Sequence, residues 1–405
     1  MSASFLGWAL DAFDFFLLVF VIDDVAKEFG VARPTVAVAI TLTLALRPVG
    51  AFVFGRLADR FGRRPVLMLD VACYSAMGLA TAFAPSLTIF LIIRALFGVA
   101  MGGEWGIGAS LTMESVPPKS RGLVSGLLQS GYPTGYFLAS IVYATLYDKI
   151  GWRGMFVVGA LPALLVLYIR RNVPESPGWS PSTANSPGVL EVLGKHWKVA
   201  LHGIALMTAF NFFSHGTQDI YPTFLKVQHH LDAHTVGTIA IIYNFGAMLG
   251  GWTFGTLSQR LGRRKTIVIA ASLSLPVIYL WAGSTTVVGL AAGAFLMQVC
   301  VQGAWGVVPA HLNELSPSGV RATFPGTIYQ LGNLIASSNA ILQTWIAARD
   351  GDNFAFALGS VAACAAIAVI GLVSIGGEAR EVELTDARPS QSPSQSAPQV
   401  ESTST

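Results

Sequence analysis

The apolar residues of this chain run together in long blocks parted by short polar clusters. Twelve blocks can be counted, at 4–22, 36–56, 66–84, 87–113, 121–146, 152–172, 199–221, 235–257, 266–283, 286–313, 321–347 and 353–375. A helix needs about 20 mostly apolar residues to cross a bilayer core, and only a helix or a closed barrel satisfies its backbone there. The pattern therefore predicts an all-α membrane protein with twelve transmembrane helices. The first block starts almost at Met1, with neither a basic n-region nor a small-residue cleavage site. It reads as a permanent span, not a signal peptide, and so short a lead leaves a start upstream of Met1 as an open expectation.

Two polar stretches divide the chain. Residues 173–198 open with Pro174-Glu175-Ser176-Pro177, continue through Ser, Pro and Asn, and close on Lys195 and Lys198. They read as a linker between an N-terminal six-helix half (1–172) and a C-terminal one (199–375). From 376 to 405 the chain is rich in Ser, Pro, Gln and Thr without apolar period, the composition of a disordered tail.

Composition narrows the class. Of the 405 residues 53% are hydrophobic and 12% charged, with mean hydropathy +0.59, against about 25% charge in soluble domains. An ordinary cytosolic enzyme, a nucleic-acid binder and a disordered scaffold are excluded, and no soluble segment is left to carry enzymatic chemistry. Cys73, Cys300 and Cys364 each lie inside an apolar block, without metal or disulfide spacing. The net charge of +3 says little, but its placement says more. With the N-terminus inside, the inner loops and tail hold 17 of the 25 Lys and Arg, the outer loops hold 6, and Arg47 and Arg94 lie within spans. This obeys the positive-inside rule, with both termini cytoplasmic.

The halves are copies. Gly55-Arg-Leu-Ala-Asp59-Arg-Phe-Gly62-Arg63-Arg64 recurs as Gly255-Thr-Leu-Ser-Gln259-Arg-Leu-Gly262-Arg263-Arg264. Trp105, Glu114, Arg121 and Gly126 likewise recur as Trp305, Glu314, Arg321 and Gly326, always 200 residues on. A sustained offset means duplication. Two such halves point to rocking around a site at their interface, the alternating access of a secondary carrier. On that loop signature, with Arg94, Gly98 and Gly102 of span 4 and Gly131-Tyr-Pro133-Thr-Gly135 of span 5, the chain resembles the major facilitator superfamily over about residues 5–375. The resemblance implies that Asp59, Arg63, Glu114 and Arg121, with Arg263, Glu314 and Arg321 of the second half, are gating latches. They would pair across the cytoplasmic face while the carrier is open outward.

Ionisable groups inside a membrane are functional hypotheses by default. Arg47 falls near the middle of span 2, and its planar fork matches a carboxylate with two hydrogen bonds. It is the candidate for binding an anionic substrate, with a structural ion pair to Asp11, Asp14 or Glu104 as the competing reading. Asp11 and Asp14 of span 1 are three residues apart, on one helix face, and Glu104 lies in span 4. Substrate that neutralises Arg47 would favour protonation of a neighbouring carboxylate, which links proton and anion in one cycle. Glu104 and Asp14 are the first candidates for the proton, while Asp70 of span 3 reads as structural, near the latch. Tyr132 and Tyr136 in span 5 are possible lining residues. Trp8 reads as lipid-facing or core.

Span 7 is the most informative stretch. Asn211, His215 and Asp219 fall at i, i+4 and i+8, with Ser214 and Gln218 beside them, so one face of an otherwise apolar helix is polar. That face should line a cavity, with His215 bonding a substrate oxygen or relaying a proton to or from Asp219. The run Asn211-Phe-Phe-Ser214-His215-Gly-Thr217-Gln218-Asp219-Ile-Tyr221-Pro-Thr223 resembles the signature of the sialate–lactate symporter family, which includes fungal lactate/pyruvate–proton symporters and bacterial sialic acid symporters. Asp11-Ala-Phe-Asp14-Phe, Gly103-Glu104-Trp105 and Tyr329-Gln330-Leu-Gly332-Asn333 look similar to family features too. The resemblance ties Arg47, Asn211, His215, Asp219 and Gln330 to substrate binding and transport. The bacterial sialic acid carriers insert two extra spans between the halves, where this chain has 26 residues, which favours a small monocarboxylate.

The expectation is therefore a cell inner-membrane symporter of a lactate- or pyruvate-like acid with a proton. It would be monomeric, with no cofactor beyond the coupling ion, no metal and no nucleic-acid partner. No nucleotide-binding glycine loop is present to drive it with ATP, and the duplicated latches argue against a passive channel. Sialic or aromatic acids are alternative substrates. A non-transporting metabolite sensor is the alternative class, separable by deleting 380–405, which should spare transport but not signalling. His229-His230-Leu-Asp232-Ala-His234 reads as an exposed polar loop, not a metal site.

Overall fold

The computed structural model describes residues 1–161, 163–179, 191, 194–378, 380, 382 and 384. Among them every regular element is helical. The N-terminal half comprises α1 (Ser2–Glu28), α2 (Arg33–Phe61), α3 (Arg63–Ala82), α4 (Leu87–Ser115), α5 (Arg121–Gln129), α6 (Gly131–Val158) and α7 (Ala163–Asn172). The C-terminal half comprises α8 (Trp197–Gln218), α9 (Tyr221–Val227), α10 (Ala233–Leu261), α11 (Arg263–Gly283), α12 (Val287–Trp305), α13 (Val308–Leu315), α14 (Thr323–Ala336), α15 (Asn339–Arg349) and α16 (Phe354–Ile375). Part of the predicted linker, 180–190 with 192 and 193, lies outside the described residues.

Among the described residues eight helical runs are long and apolar enough to cross a membrane by length and composition. One of them, Pro118–Asn172, covers two predicted spans, because Gly151 (φ 62°) breaks it. Three predicted spans fall outside the eight, each for a visible reason. Span 7 is diluted by its polar face, span 8 by Tyr243, Asn244 and glycines, and span 11 is split between α14 and α15. The predicted spans 5, 7, 10 and 11 are each two helices in series, parted at Ser130, Asp219–Ile220, Gly306–Val307 and Ser337–Ser338. Broken backbone at membrane depth is tolerated where it is buried in protein or lines a cavity.

The duplicated loops make identical corners. Gly62 (φ 104°) ends α2 and starts α3, and Gly262 (φ 96°) does the same between α10 and α11. Only glycine takes such a φ without strain. Glu175 Oε1 accepts from the Arg63 and Arg64 N–H groups at 2.9 and 3.2 Å, and Glu378 accepts from those of Arg263 and Arg264 at 3.2 and 3.1 Å. Each carboxylate thus caps a helix N-terminus, where the unpaired N–H groups and the dipole favour negative charge.

The halves meet closely on this basic-loop face. Gly106 of α4 abuts Gly326 of α14, where an added Cβ would lie 2.8 Å from the opposing Cα. Ser110 Oγ donates to Arg321 O at 2.6 Å and lies 3.0 Å from Asn313 Oδ1, and Ala310 N donates to Ser125 Oγ at 3.0 Å. Gly106→Leu should therefore wedge this face apart. With spin labels on the exposed residues Lys119 and Ser318, one in each half, the mutant should gain a longer distance; an unchanged distribution would contradict the close approach. Of the predicted tail, residues 379, 381, 383 and 385–405 lie outside the described residues. Glu378 caps α11 as above, and Leu384 is 1% exposed.

Candidate substrate site and gates

The site begins with Arg47, which Pro48 and the surrounding leucines hold at mid-helix in α2. Its guanidinium is 3% exposed, and Nη2 lies 3.6 Å from Asp11 Oδ2 of α1, an ion pair beyond hydrogen-bonding distance. Among the described residues Nε and Nη2 have no hydrogen-bond acceptor, and neither Asp11 oxygen has a donor. Leaving such groups unpaired by hydrogen bonds in an apolar interior is costly, so the pair is a weak structural bond. The Trp8 ring lies 6.0 Å from the guanidinium carbon and stacks at a tilt on Tyr132 at 5.4 Å. The Trp8 indole N–H is also buried with no acceptor among the described residues. Trp8 is therefore core beside Arg47, the second of its two expected placements. Its aromatic neighbours gave no sequence signal to set it apart.

The duplicated tryptophans converge at the floor. Tyr329 of α14 lies 4.6 Å from the Trp105 ring and 5.6 Å from the Trp305 ring, between the halves. Arg47 lies within electrostatic reach of Tyr329, Tyr132 and His215, which puts both halves around one centre. Gln330, next to Tyr329, is 1% exposed, and neither its amide nitrogen nor its oxygen has a partner among the described residues.

The span-7 face is assembled in part as expected. His215 Nδ1 lies 3.1 Å from Asp219 Oδ1 and Nε2 lies 3.0 Å from Asn333 Oδ1, so the ring bridges α8 to α14. The His215 and Asp219 side chains stay 32% and 37% exposed. Gln218 Nε2 donates to Gln298 Oε1 at 2.9 Å, Gln298 Nε2 to Thr217 Oγ1 at 3.1 Å, and Gln302 Nε2 to Ser214 Oγ at 3.2 Å. Gln298 and Gln302 of α12 thus extend the polar face, although each is a lone amide in an apolar run in the sequence. Asn211 departs from expectation. It is 2% exposed, and its amide donates back to Met207 O at 2.8 Å, so it belongs to the helix interior more than to the cavity wall.

Four further charges of the first half, Asp14, Asp70, Arg94 and Glu104, are fully buried. Asp14 packs against Gly78 of α3 and Gly159, near enough that a Cβ on either would clash with its carboxylate. Glu104 packs on Gly7 of α1, and Asp70 on Gly103 of α4. Arg94 stacks on Phe97 at 4.0 Å and lies within electrostatic reach of Asp14 and Asp11. The carboxylates of Asp14, Asp70 and Glu104 and the Arg94 guanidinium have no hydrogen-bond partner among the described residues. Asp11 and Asp14 share Arg94 as a charged neighbour but pack on different groups, and Asp70 joins this interior cluster.

The latch residues come together. Asp59 caps α14 of the other half, accepting from Ala322 N and Thr323 N at 3.0 Å each and from Thr323 Oγ1 at 2.5 Å. Arg63 bridges Asp59 (3.2 Å) and Glu114 (3.1 Å). In the second copy Gln259 accepts from Gly122 N and donates to Pro118 O, both at 3.0 Å, and Arg263 forks onto Glu314 with two 2.9 Å bonds. Arg121 reaches Glu314 across the halves at 3.8 Å, and Arg321 donates to Leu384 O.

Comparison with known proteins agrees with this architecture. Residues 4–218 match the Major Facilitator Superfamily model, and residues 203–375 match that of Sugar (and other) transporters. The chain is similar to a "carboxylic acid transporter protein homolog" of Saccharomyces cerevisiae, 26% identical over 85% of this chain and spanning 60% of that protein's length. It is also similar to the "sialic acid transporter NanX" of Escherichia coli, 25% identical over 87% of each chain. The proton:xylose symporter XylE superimposes with TM-score 0.74 at 17% identity, over 95% of this chain and 96% of that one. With two six-helix halves closed at one face around a buried arginine, the chain belongs to the Major Facilitator Superfamily: a multi-pass membrane transporter, not an enzyme.

Proposed function

We propose that the protein is a symporter that imports a small monocarboxylate of the lactate or pyruvate type together with a proton. The observation that carries this reading is Arg47, a mid-span, 3% exposed guanidinium with hydrogen-bonding capacity to spare and only Asp11, at 3.6 Å, to balance it. An incoming carboxylate competes with Asp11 for the fork. Once displaced, Asp11 is an uncompensated carboxylate in an apolar interior, and the least costly outcome is that it takes a proton. Asp14 and Glu104, buried with no hydrogen-bond donor, are the neighbouring groups that can share that proton. The energetics favour coupling. A lone anion entering a negative interior is opposed by about 2.3 kcal/mol per 100 mV, and one proton per monoanion cancels that charge.

His215, Gln218 and Gln330 would select what hangs from the carboxylate, with the Trp8 N–H as a further donor. Latch opening on the basic-loop face, taken as cytoplasmic from the positive-inside bias, would then release both substrates. The carboxylic acid and sialic acid named for the two relatives support an acid as substrate. A larger, hydroxylated acid is a second reading, favoured by the neutral amide and hydroxyl network of Gln218, Gln298, Gln302 and Ser214. Uptake of labelled lactate into proteoliposomes should rise when an inward proton gradient is imposed and fall when pyruvate competes. If lactate stays outside and only sialic or aromatic acids compete, the monocarboxylate assignment falls.

A further inference from the structure

The slot between the halves on the basic-loop face holds a piece of the chain's own tail. Beyond α16, Glu378 caps α11, and Arg380 donates to Arg260 O at 3.0 Å. Val382 O then accepts from Arg121 Nη1 at 2.5 Å, and Leu384 O accepts from Arg321 Nη1. These are the duplicated latch arginines, one from each half. The Leu384 side chain is buried in an apolar pocket with Met113, Val124 and Leu128 of the first half and Ala310 of the second. Gly178 of the linker packs on the Leu384 carbonyl, where a Cβ would lie 2.7 Å from it. One short segment therefore touches both halves, both latch arginines and the linker.

We infer that this slot is a peptide-docking site whose occupant is the segment around Val382–Leu384, and that the docked segment holds the basic-loop face shut. The halves cannot separate there while one residue fills a pocket that both build and carbonyls two residues apart bind an arginine from each. Burying a leucine side chain is enough to shift a gate equilibrium about tenfold. The tail thus acts as a hasp across the gate, distinct from the ion-pair latches beneath it, and must leave the slot before the face opens.

The test is pulsed dipolar spectroscopy on the full-length protein in nanodiscs, with keto-amino-acid spin labels at Lys119 and Ser318 so that the three native cysteines stay in place. The labelled protein should show mainly the short distance of the closed face. Leu384→Glu, and a chain truncated after Arg380, should each raise the long-distance fraction at least threefold. Leu384→Met, which refills the pocket, should match the unmutated protein. A distribution that is the same in the parent, Leu384→Glu and truncated proteins overturns the inference, and so does a shift in Leu384→Met as large as in Leu384→Glu. The readout needs no substrate, so it stands or falls apart from the monocarboxylate reading.

Discussion

Arg47→Lys is expected to raise the apparent KM for a monocarboxylate about 10- to 100-fold and to leave the chain folded. Lysine keeps the charge at mid-span but offers a point charge where arginine offers a fork. One charge-assisted hydrogen bond of the bidentate pair is lost, at about 1.5–3 kcal/mol, and each 1.4 kcal/mol is about tenfold. Arg47→Ala should be more severe. It strands the Asp11 carboxylate, already without a hydrogen-bond donor among the described residues, in an apolar interior. Removing one partner of a buried pair costs about 3–5 kcal/mol, so this variant should lose thermal stability as well as uptake. Proteoliposome kinetics with a melting curve on each protein check both. A wild-type KM in Arg47→Lys would remove Arg47 from the substrate site.

Asp11→Asn should have the second large effect, of a different kind. In the proposed cycle the substitution removes the group that competes with substrate for Arg47, 3.6 Å away, and also the group that takes the proton after displacement. Binding should therefore persist or tighten. Net uptake should cease to follow a proton gradient, while exchange of labelled for unlabelled substrate across the membrane continues. The same split in Glu104→Gln or Asp14→Asn, with Asp11→Asn fully coupled, would move the proton to those residues. Loss of exchange in Asp11→Asn would mean that the pair is structural, not alternating.

The sequence made the architecture legible because a membrane permits so few solutions. Twelve apolar blocks, the charge bias of the loops and a 200-residue repeat led to two six-helix halves before any coordinates. The latch was legible for the same reason, since Asp59 and Gln259 recur in register and each caps a helix of the opposite half. The partners across the interior were not. Asp11 and Asp14 share a face by spacing, and which helix each meets, Arg47 of α2 for one and Gly78 of α3 for the other, depends on tertiary packing. Trp8 was hidden among aromatics, and Gln298 and Gln302 among apolar residues of span 10, because their roles come from contacts with other helices. The breaks at Ser130, Gly306 and Ser337 were missed because hydropathy counts residues and does not see backbone direction. The contacts of Val382 and Leu384 are not legible, since two apolar side chains are too few to give a period.

Proton movement driven by substrate alone tests the central claim most directly. Proteoliposomes with a trapped pH dye, equal pH on both sides and protein-free liposomes as control are given external lactate. Lumenal acidification that needs the protein, stays electroneutral at one proton per lactate and disappears in Asp11→Asn is the result expected. Labelled lactate entering through the protein with no accompanying acidification, or with a charge-compensating current, would contradict coupling at Arg47 and Asp11.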